Sequence, residues 1–468
     1  MVFICFLKGS EYWPGSQHIT VLLASNFFYG FWDWRFLTLI WLSIFIDYFV
    51  GLLLEKNKRQ RARRALLSVS ICSNLSILLF FKYFNFFQDS LQNLLARGGM
   101  EYDPWVLSVT LPLGISFYTF QTMSYSIDVY RRKVVATSNL LEFAQFVCYF
   151  PQLVAGPIER AGKLIPQLQR NRHIEWENVL SGGLLVIWGC FKKAVVADSV
   201  GMLIVDIHFD NPASGTHLLL ATFGFAIQIY CDFSGYCDIA CGLSRCMGIE
   251  LSKNFNAPYY AATISDFWRR WHISLSHWFR DYLYIGLGGN RCGSLRTLVN
   301  LVITMLLCGL WHGANSTYIV WGAYHGGLLL AHRLVAGNTR KQNEANRHFR
   351  YISTGITFLL VCYGWMIFRL TDIDLLVPYT MMLTNPFEGF MNPDLRNQCI
   401  GLTALLFVML GITWVAHWIQ DQADHNRQEL EILGSPTVIG LLLGGGMIVV
   451  VLFSSIGKGG LPFIYFQF

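Results

Sequence analysis

Residues 297–315 read "TLVNLVITMLLCGLWHGAN", and the fold turns on how they are read. The run approaches the ~20 apolar residues of a membrane crossing, yet it ends on an imidazole, His312. Asn300, Thr304, Cys308 and His312 recur every fourth residue, so a helix places them on one stripe. In a bilayer that stripe turns toward protein or a water-filled cavity, because polar groups facing lipid are costly. An ionisable residue at that depth is a functional candidate by default, and the cost of charge there predicts a neutral ring. The competing reading is a structural histidine bonded to a neighbouring helix.

The remaining sequence decides what surrounds this helix. Of 468 residues, 54% are hydrophobic and 14% charged, against about 25% charged in soluble domains. Fifteen per cent are aromatic, a composition suited to interfacial belts and wide packing surfaces. The net charge of +6 gathers in short loops. This favours membrane topology, with lipids as surroundings, over a nucleic-acid partner, for which there is no basic domain or stacking motif. The twelve cysteines contain no C-x-x-C pair and read as small hydrophobes, with no metal or disulfide expected. The opening "MVFICFLKGSEYWPG" lacks a basic n-region and an A-x-A-like site, so no cleavable signal peptide is expected.

Apolar segments recur at 18–32, 36–54, 65–85, 106–126, 139–155, 178–200, 216–246, 297–313, 316–335, 351–369, 400–419 and 437–455. Breaks near Pro112, Pro151 and Pro157 mark re-entrant segments, whose backbone must be covered by protein or line a cavity. The expectation is an all-α polytopic protein of about 10–13 transmembrane or re-entrant helices, forming one membrane domain over residues 1–468. The basic loops "KNKRQRARR" (56–64), "RRK" (131–133) and "TRKQNEANRHFR" (339–350) are predicted to face the cytosol, as is the Arg291/Arg296 loop. His312 then lies past mid-depth, away from the cytosolic face.

A second region, "ISDFWRRWHISLSHWFRDYLYI" (264–285), is too charged to span. Read as one helix, it has an apolar stripe of Ile264, Trp268, Trp271, Leu275, Trp278 and Tyr282 beside a polar stripe of Arg269, His272, Ser276 and Arg280. This is the pattern of an amphipathic helix at the cytoplasmic interface. It serves either as a headgroup anchor or as a cationic wall, through Arg269, Ser276 and Arg280, for a phosphate-bearing donor. "LGGNR" (287–291) turns the chain without forming a P-loop. Asp232 and Asp238 stand inside an apolar segment and are expected to pair with the arginines of 264–285. His272 and His277 are not in H-E-x-x-H spacing and there is no G-x-S-x-G, which weakens zinc proteolysis and serine hydrolysis.

Taken together, "LPLGISFYTFQTMSYSIDVYR" (111–131), "FPQLVAGPIER" (150–160), "IYCDFSGYCDIACGL" (229–243), "NFNAPYYAATISDFWRRWHISLSHWFRDYLYIGLGGNR" (254–291), "GLWHGAN" (309–315) and "PFIYFQF" (462–468) resemble the membrane-bound O-acyltransferases, in particular the bacterial alginate O-acetyltransferase type. The resemblance implies helices around a central tunnel, with the family's essential histidine at His312 and its second motif histidine at His272. It also implies an acyl thioester donor such as acetyl-CoA, no bound cofactor and no metal. A polysaccharide acceptor outside the bacterial inner membrane and a periplasmic SGNH or esterase-like partner transferase are implied as well. Imidazole titrates near neutrality, so His312 can take the acceptor's proton. Asn315 and Trp311 are candidates to support it or to donate to the developing oxyanion. The rivals are D-alanyl transfer to teichoic acid and, in another class, a proton-coupled transporter or channel.

Overall fold

The structure is a computed structural model that describes residues 16–103, 110–170, 174–336, 347–425 and 463–464. The candidate span 437–455, the N-terminal stretch and most of loop 339–350 lie outside the described residues, as does "PFIYFQF" apart from Phe463 and Ile464. The described residues hold helices and no strand. Seven helices are long and apolar enough to cross a membrane. The chain divides into two compact units, with boundaries inside two of these helices. One takes the chain up to Gly183 with Ala240–Ser252 and His277–Leu283, and the other holds Leu184–Ile239, Lys253–Ser276 and the chain from Tyr284 onward.

In the first unit, α1 (Ser16–Asp33) and α2 (Leu37–Lys56) meet at a tight turn, Trp34–Phe36. Asp33 caps that turn by accepting from the Arg35 amide at 3.0 Å. Next come α3 (Gln60–Arg97) and α4 (Ile115–Tyr130). Where 106–126 was expected to span, the helix starts later, after Gly114. Gly114 has φ +70°, and a Cβ there would sit 2.6 Å from the Leu153 carbonyl oxygen, so only glycine fits. Every residue from Ile115 to Ser126 is buried, so α4 is a core element that lipid does not touch. The expected span 139–155 is two short buried pieces, α5 (Leu140–Cys148) and α6 (Phe150–Leu153), broken ahead of Pro151.

A polar knot ties this unit. Asp47 on α2 accepts from Ser70, from Asn74 at 2.7 Å and from Ser126 at 2.7 Å, and Thr122 bonds to Asn74 at 3.1 Å. Two of the basic loops also come to one end. Arg63 donates to the Tyr130 carbonyl at 2.7 Å and Gln60 to the Tyr130 hydroxyl at 2.7 Å, which places loops 56–64 and 131–133 side by side.

After α7 (Ala161–Gln169) come α8 (Trp176–His208) and α9 (Gly215–Cys246). They pack through glycines: a Cβ on Gly189 would lie 2.5 Å from the Gly235 carbonyl oxygen. The apolar window of α9 is 83% buried while that of α3 is 17% buried, so α9 is a core helix and α3 a lipid-facing one. The carboxylates of α9 pair with lysines of α8, not with the arginines of 264–285. Lys193 reaches Asp232 at 2.7 Å and Asp198 at 2.8 Å, and Lys192 reaches Asp238 at 2.5 Å. The lysines sit on a neighbouring helix at the same depth, where a charge most needs a partner.

Candidate active site

Region 264–285 is not one helix. It runs as α10 (Ile264–Arg270) and α11 (Ile273–Trp278), followed by a wider turn, Phe279–Tyr284. The break falls at Trp271, which is extended, and at His272, whose φ is +41°. A left-handed backbone at a non-glycine residue is strained and persists only where its surroundings hold it. Asn254 supplies the hold. Its carbonyl accepts from the Ile273 amide at 2.9 Å, its side-chain oxygen accepts from the Ser274 amide at 3.2 Å, and its amide donates to Cys237 Sγ at 3.3 Å. The "NFN" segment thus fixes the turn that aims His272.

The proposed polar stripe is corrected accordingly. Ser276 donates to the Trp271 carbonyl at 3.2 Å and serves the break itself. Arg269 is exposed. Arg280 is exposed and pairs with Asp281 at 2.7 Å, in the first unit, where Arg131 and Arg160 lie over the Tyr282 ring at 5.4 and 4.2 Å. With the helix broken, the phase relation that aligned Arg269, His272, Ser276 and Arg280 no longer holds.

The second unit carries the histidines. On α12 (Ser294–His312), Asn300, Thr304, Cys308 and His312 are all buried, as the four-residue spacing required. Asn300 donates to the carbonyls of Leu287 and Gly289 at 3.2 and 3.3 Å, so the "LGGNR" turn is bound to the foot of the stripe. α12 packs backbone to backbone on α13 (Ser316–Ala336): a Cβ on Gly309 would lie 2.1 Å from the Tyr318 carbonyl oxygen. That closeness seats His312 against α13 and against α14 (Arg347–Arg369).

His312 is 4% exposed and sits among ring edges. Its centroid lies 5.0 Å from Trp311, 5.2 Å from Trp321 and 5.3 Å from Phe368, each near perpendicular. Trp311 also meets His272 at 6.0 Å, so one indole stands between the two motif histidines. His272 is 1% exposed and packs edge-on to Phe233 at 4.7 Å. Burial pushes its imidazole down to about 3, so it is neutral at physiological pH.

Asn315 does not face this chemistry. Its oxygen accepts from the Thr317 amide at 3.1 Å and its amide donates to the Thr371 carbonyl at 2.9 Å. It caps α13 and anchors the loop that follows α14, a use of the residue that the quoted motif could not separate from oxyanion binding. Trp311 keeps its place beside His312. Three residues missed in the sequence complete the wall: Trp321, His325 and Trp365, all fully buried. Their signal was present, since Trp321 and His325 are four apart on one helix face. Phe463 and Ile464 reach the same unit, the Ile464 amide donating to Asp232 at 2.6 Å.

Comparison with known proteins agrees with this arrangement. The model of the membrane-bound O-acyltransferase family matches residues 27–373. A Pseudomonas putida protein named "Probable alginate O-acetylase AlgI" is 38% identical over 481 residues, covering 99% of this chain and 96% of its own. The Pseudomonas aeruginosa protein of the same name is 43% identical over 373 residues, covering 79% of this chain and 69% of its own. A Helicobacter pylori "Peptidoglycan O-acetyltransferase" is 36% identical over 392 residues, covering 77% and 72%. The chain is a multi-pass membrane acyltransferase and belongs to the membrane-bound O-acyltransferase family.

Proposed function

We propose that this protein moves acetyl groups from a cytosolic acyl thioester, acetyl-CoA in the first instance, toward an extracytoplasmic polysaccharide from the bacterial inner membrane. The observation that carries the reading is the pairing of the two motif histidines about Trp311 in a buried aromatic wall. The similarity to proteins named for alginate and peptidoglycan O-acetylation supports acetyl as the group and a glycan as the final acceptor.

His312 is the base. It takes the proton of an acceptor hydroxyl as that oxygen bonds to the thioester carbonyl carbon. The carbon–sulfur bond then breaks, and the imidazolium returns the proton to the departing thiolate, so no net proton is released. His272, neutral and held by a strained turn, contributes a hydrogen bond beside the reacting carbonyl. With Asn315 committed to capping, the Trp311 indole N–H joins His272 as a candidate donor for the oxyanion. Arg269, exposed in the unit that carries the histidines, is a candidate for the anionic part of the donor, and charge reversal there tests this through the donor KM.

The acetyl group passes to a periplasmic esterase-like partner that completes transfer to the polymer. The test supplies acetyl-labelled CoA to the cytosolic face of sealed vesicles holding the chain, with partner and polymer outside. Label is expected in polymer only when both proteins are present. Efficient labelling of polymer without the partner would remove the relay, and no labelling in any combination would remove the donor assignment.

A further inference from the structure

His325 lies on α13 one helical turn past Trp321 and is fully buried. Its ring meets Trp321 at 4.9 Å, Trp268 at 5.3 Å and Tyr324 at 5.4 Å, all edge to face. Both of its ring nitrogens, and the indole nitrogens of Trp321 and Trp268, are buried with no hydrogen-bond partner among the described residues. The ring is pressed to α14 at Gly364, where a Cβ would come within 2.6 Å of Nε2. An aromatic residue would fill this space without the cost of burying unsatisfied polar nitrogens. Three N–H donors and one imidazole acceptor in one apolar niche match a ligand that offers a carbonyl together with an N–H, which is an amide.

We propose that His325, with Trp321 and Trp268, binds an amide of the donor's thiol arm and is a specificity residue for the acyl donor. The inference rests on the thioester reading above. Trp321 links the two: its ring centroid lies 5.2 Å from that of His312 and 4.9 Å from that of His325. With both imidazoles in contact with one indole, a thioester carbonyl at His312 and an amide two methylenes beyond the sulfur, at His325, fall within the reach of one short arm. His325 also lies on the side of Trp321 that leads to Arg333 and to His332, whose Nδ1 meets Ser265 Oγ at 3.1 Å. That basic end of α13 is the one assigned to the cytosol, from which the donor enters.

The test compares three acetyl donors in membranes containing the chain and its acceptor: acetyl-CoA, S-acetyl-N-acetylcysteamine with one amide, and S-ethyl thioacetate with none. The wild type is expected to prefer the amide-bearing donors in kcat/KM. His325→Phe should raise KM for both amide donors about tenfold with kcat changed less than about threefold, and should leave S-ethyl thioacetate unaffected. His325→Gln, which restores a donor and an acceptor, should recover part of the loss. Should His325→Phe fail to insert, Gly364→Ala displaces the same ring, and the same loss of amide preference is expected. Unchanged donor preference in an inserted His325→Phe or Gly364→Ala chain overturns the inference and leaves the thioester reading standing. A wild type that uses none of the three donors removes the thioester reading itself.

Discussion

Two buried polar clusters in this molecule, one in each unit, are built on opposite plans. Around Asp47 every group is saturated: the carboxylate accepts from Ser70, Asn74 and Ser126, and Thr122 closes the network on Asn74. Around His325 the neighbours are ring edges, and its own nitrogens and those of Trp321 and Trp268 meet nothing among the described residues. A saturated network has no capacity left for a ligand, so it holds helices together. Imidazoles and indoles walled by aromatics retain hydrogen-bonding capacity in a place where water is scarce, which suits a group that must meet a substrate. Burial alone does not separate the two, since both clusters are buried; saturation does.

The comparison breaks most visibly if the first cluster is not structural. Asp47→Leu strands three buried donors and is expected to cost about 3 kcal/mol or more, or to prevent recovery of folded protein. Thermal unfolding in detergent measures it, with Asp47→Asn as the milder partner. A stable Asp47→Leu chain with lost turnover would move Asp47 into the chemistry.

The lysine–aspartate pairs offer the next largest effect. Asp232→Ala removes one carboxylate from Lys193 and the acceptor of the Ile464 amide and is expected to cost about 2 kcal/mol, below the usual 3–5 for a broken buried pair because Lys193 is partly exposed. Adding Lys193→Met should restore part of that loss. A double variant less stable than Asp232→Ala would show that the lysine has work beyond the pair.

His272 sharpens the contrast through pH. Its folded imidazole is held near 3 by burial, below the ordinary 6.5. Between those values the unfolded chain binds a proton that the folded chain does not, so stability falls as pH drops through that window and is flat above it. His272→Asn tolerates the left-handed backbone and does not titrate, so it should flatten the acid limb. An unchanged acid limb in that variant would assign it to other groups.

Asn315 gives the smallest change. Asn315→Ala removes a helix cap and is expected to cost about 1 kcal/mol with turnover per folded molecule preserved. A hundredfold fall in turnover at equal folding would return Asn315 to the oxyanion.

The sequence carried the parts of this site that follow from one helix. The four-residue spacing of Asn300, Thr304, Cys308 and His312 gives the buried stripe, and the apolar runs locate most of the helices. Relations between helices were not legible in the same way. Lys192 and Lys193 stand inside an apolar run, and nothing local says that α9 rather than 264–285 supplies their counter-charges. The break at Trp271–His272 is set by hydrogen bonds from Asn254, eighteen residues earlier, while side-chain periodicity runs through it undisturbed. The assignment of His272 and His312 as motif histidines came from the resemblance, and only packing shows Trp311 between them.

The central claim is that His312 is the base and not a packing residue. Its direct test is the rate of label transfer from acetyl-CoA by His312→Gln and His312→Ala chains inserted at the wild-type level. Gln keeps a hydrogen bond but accepts no proton, and general-base catalysis is worth roughly 10²–10⁴-fold. Both variants are therefore expected to lose at least a hundredfold while their thermal unfolding stays within about 2 kcal/mol of the wild type. Near-normal transfer by the Gln variant would contradict the account.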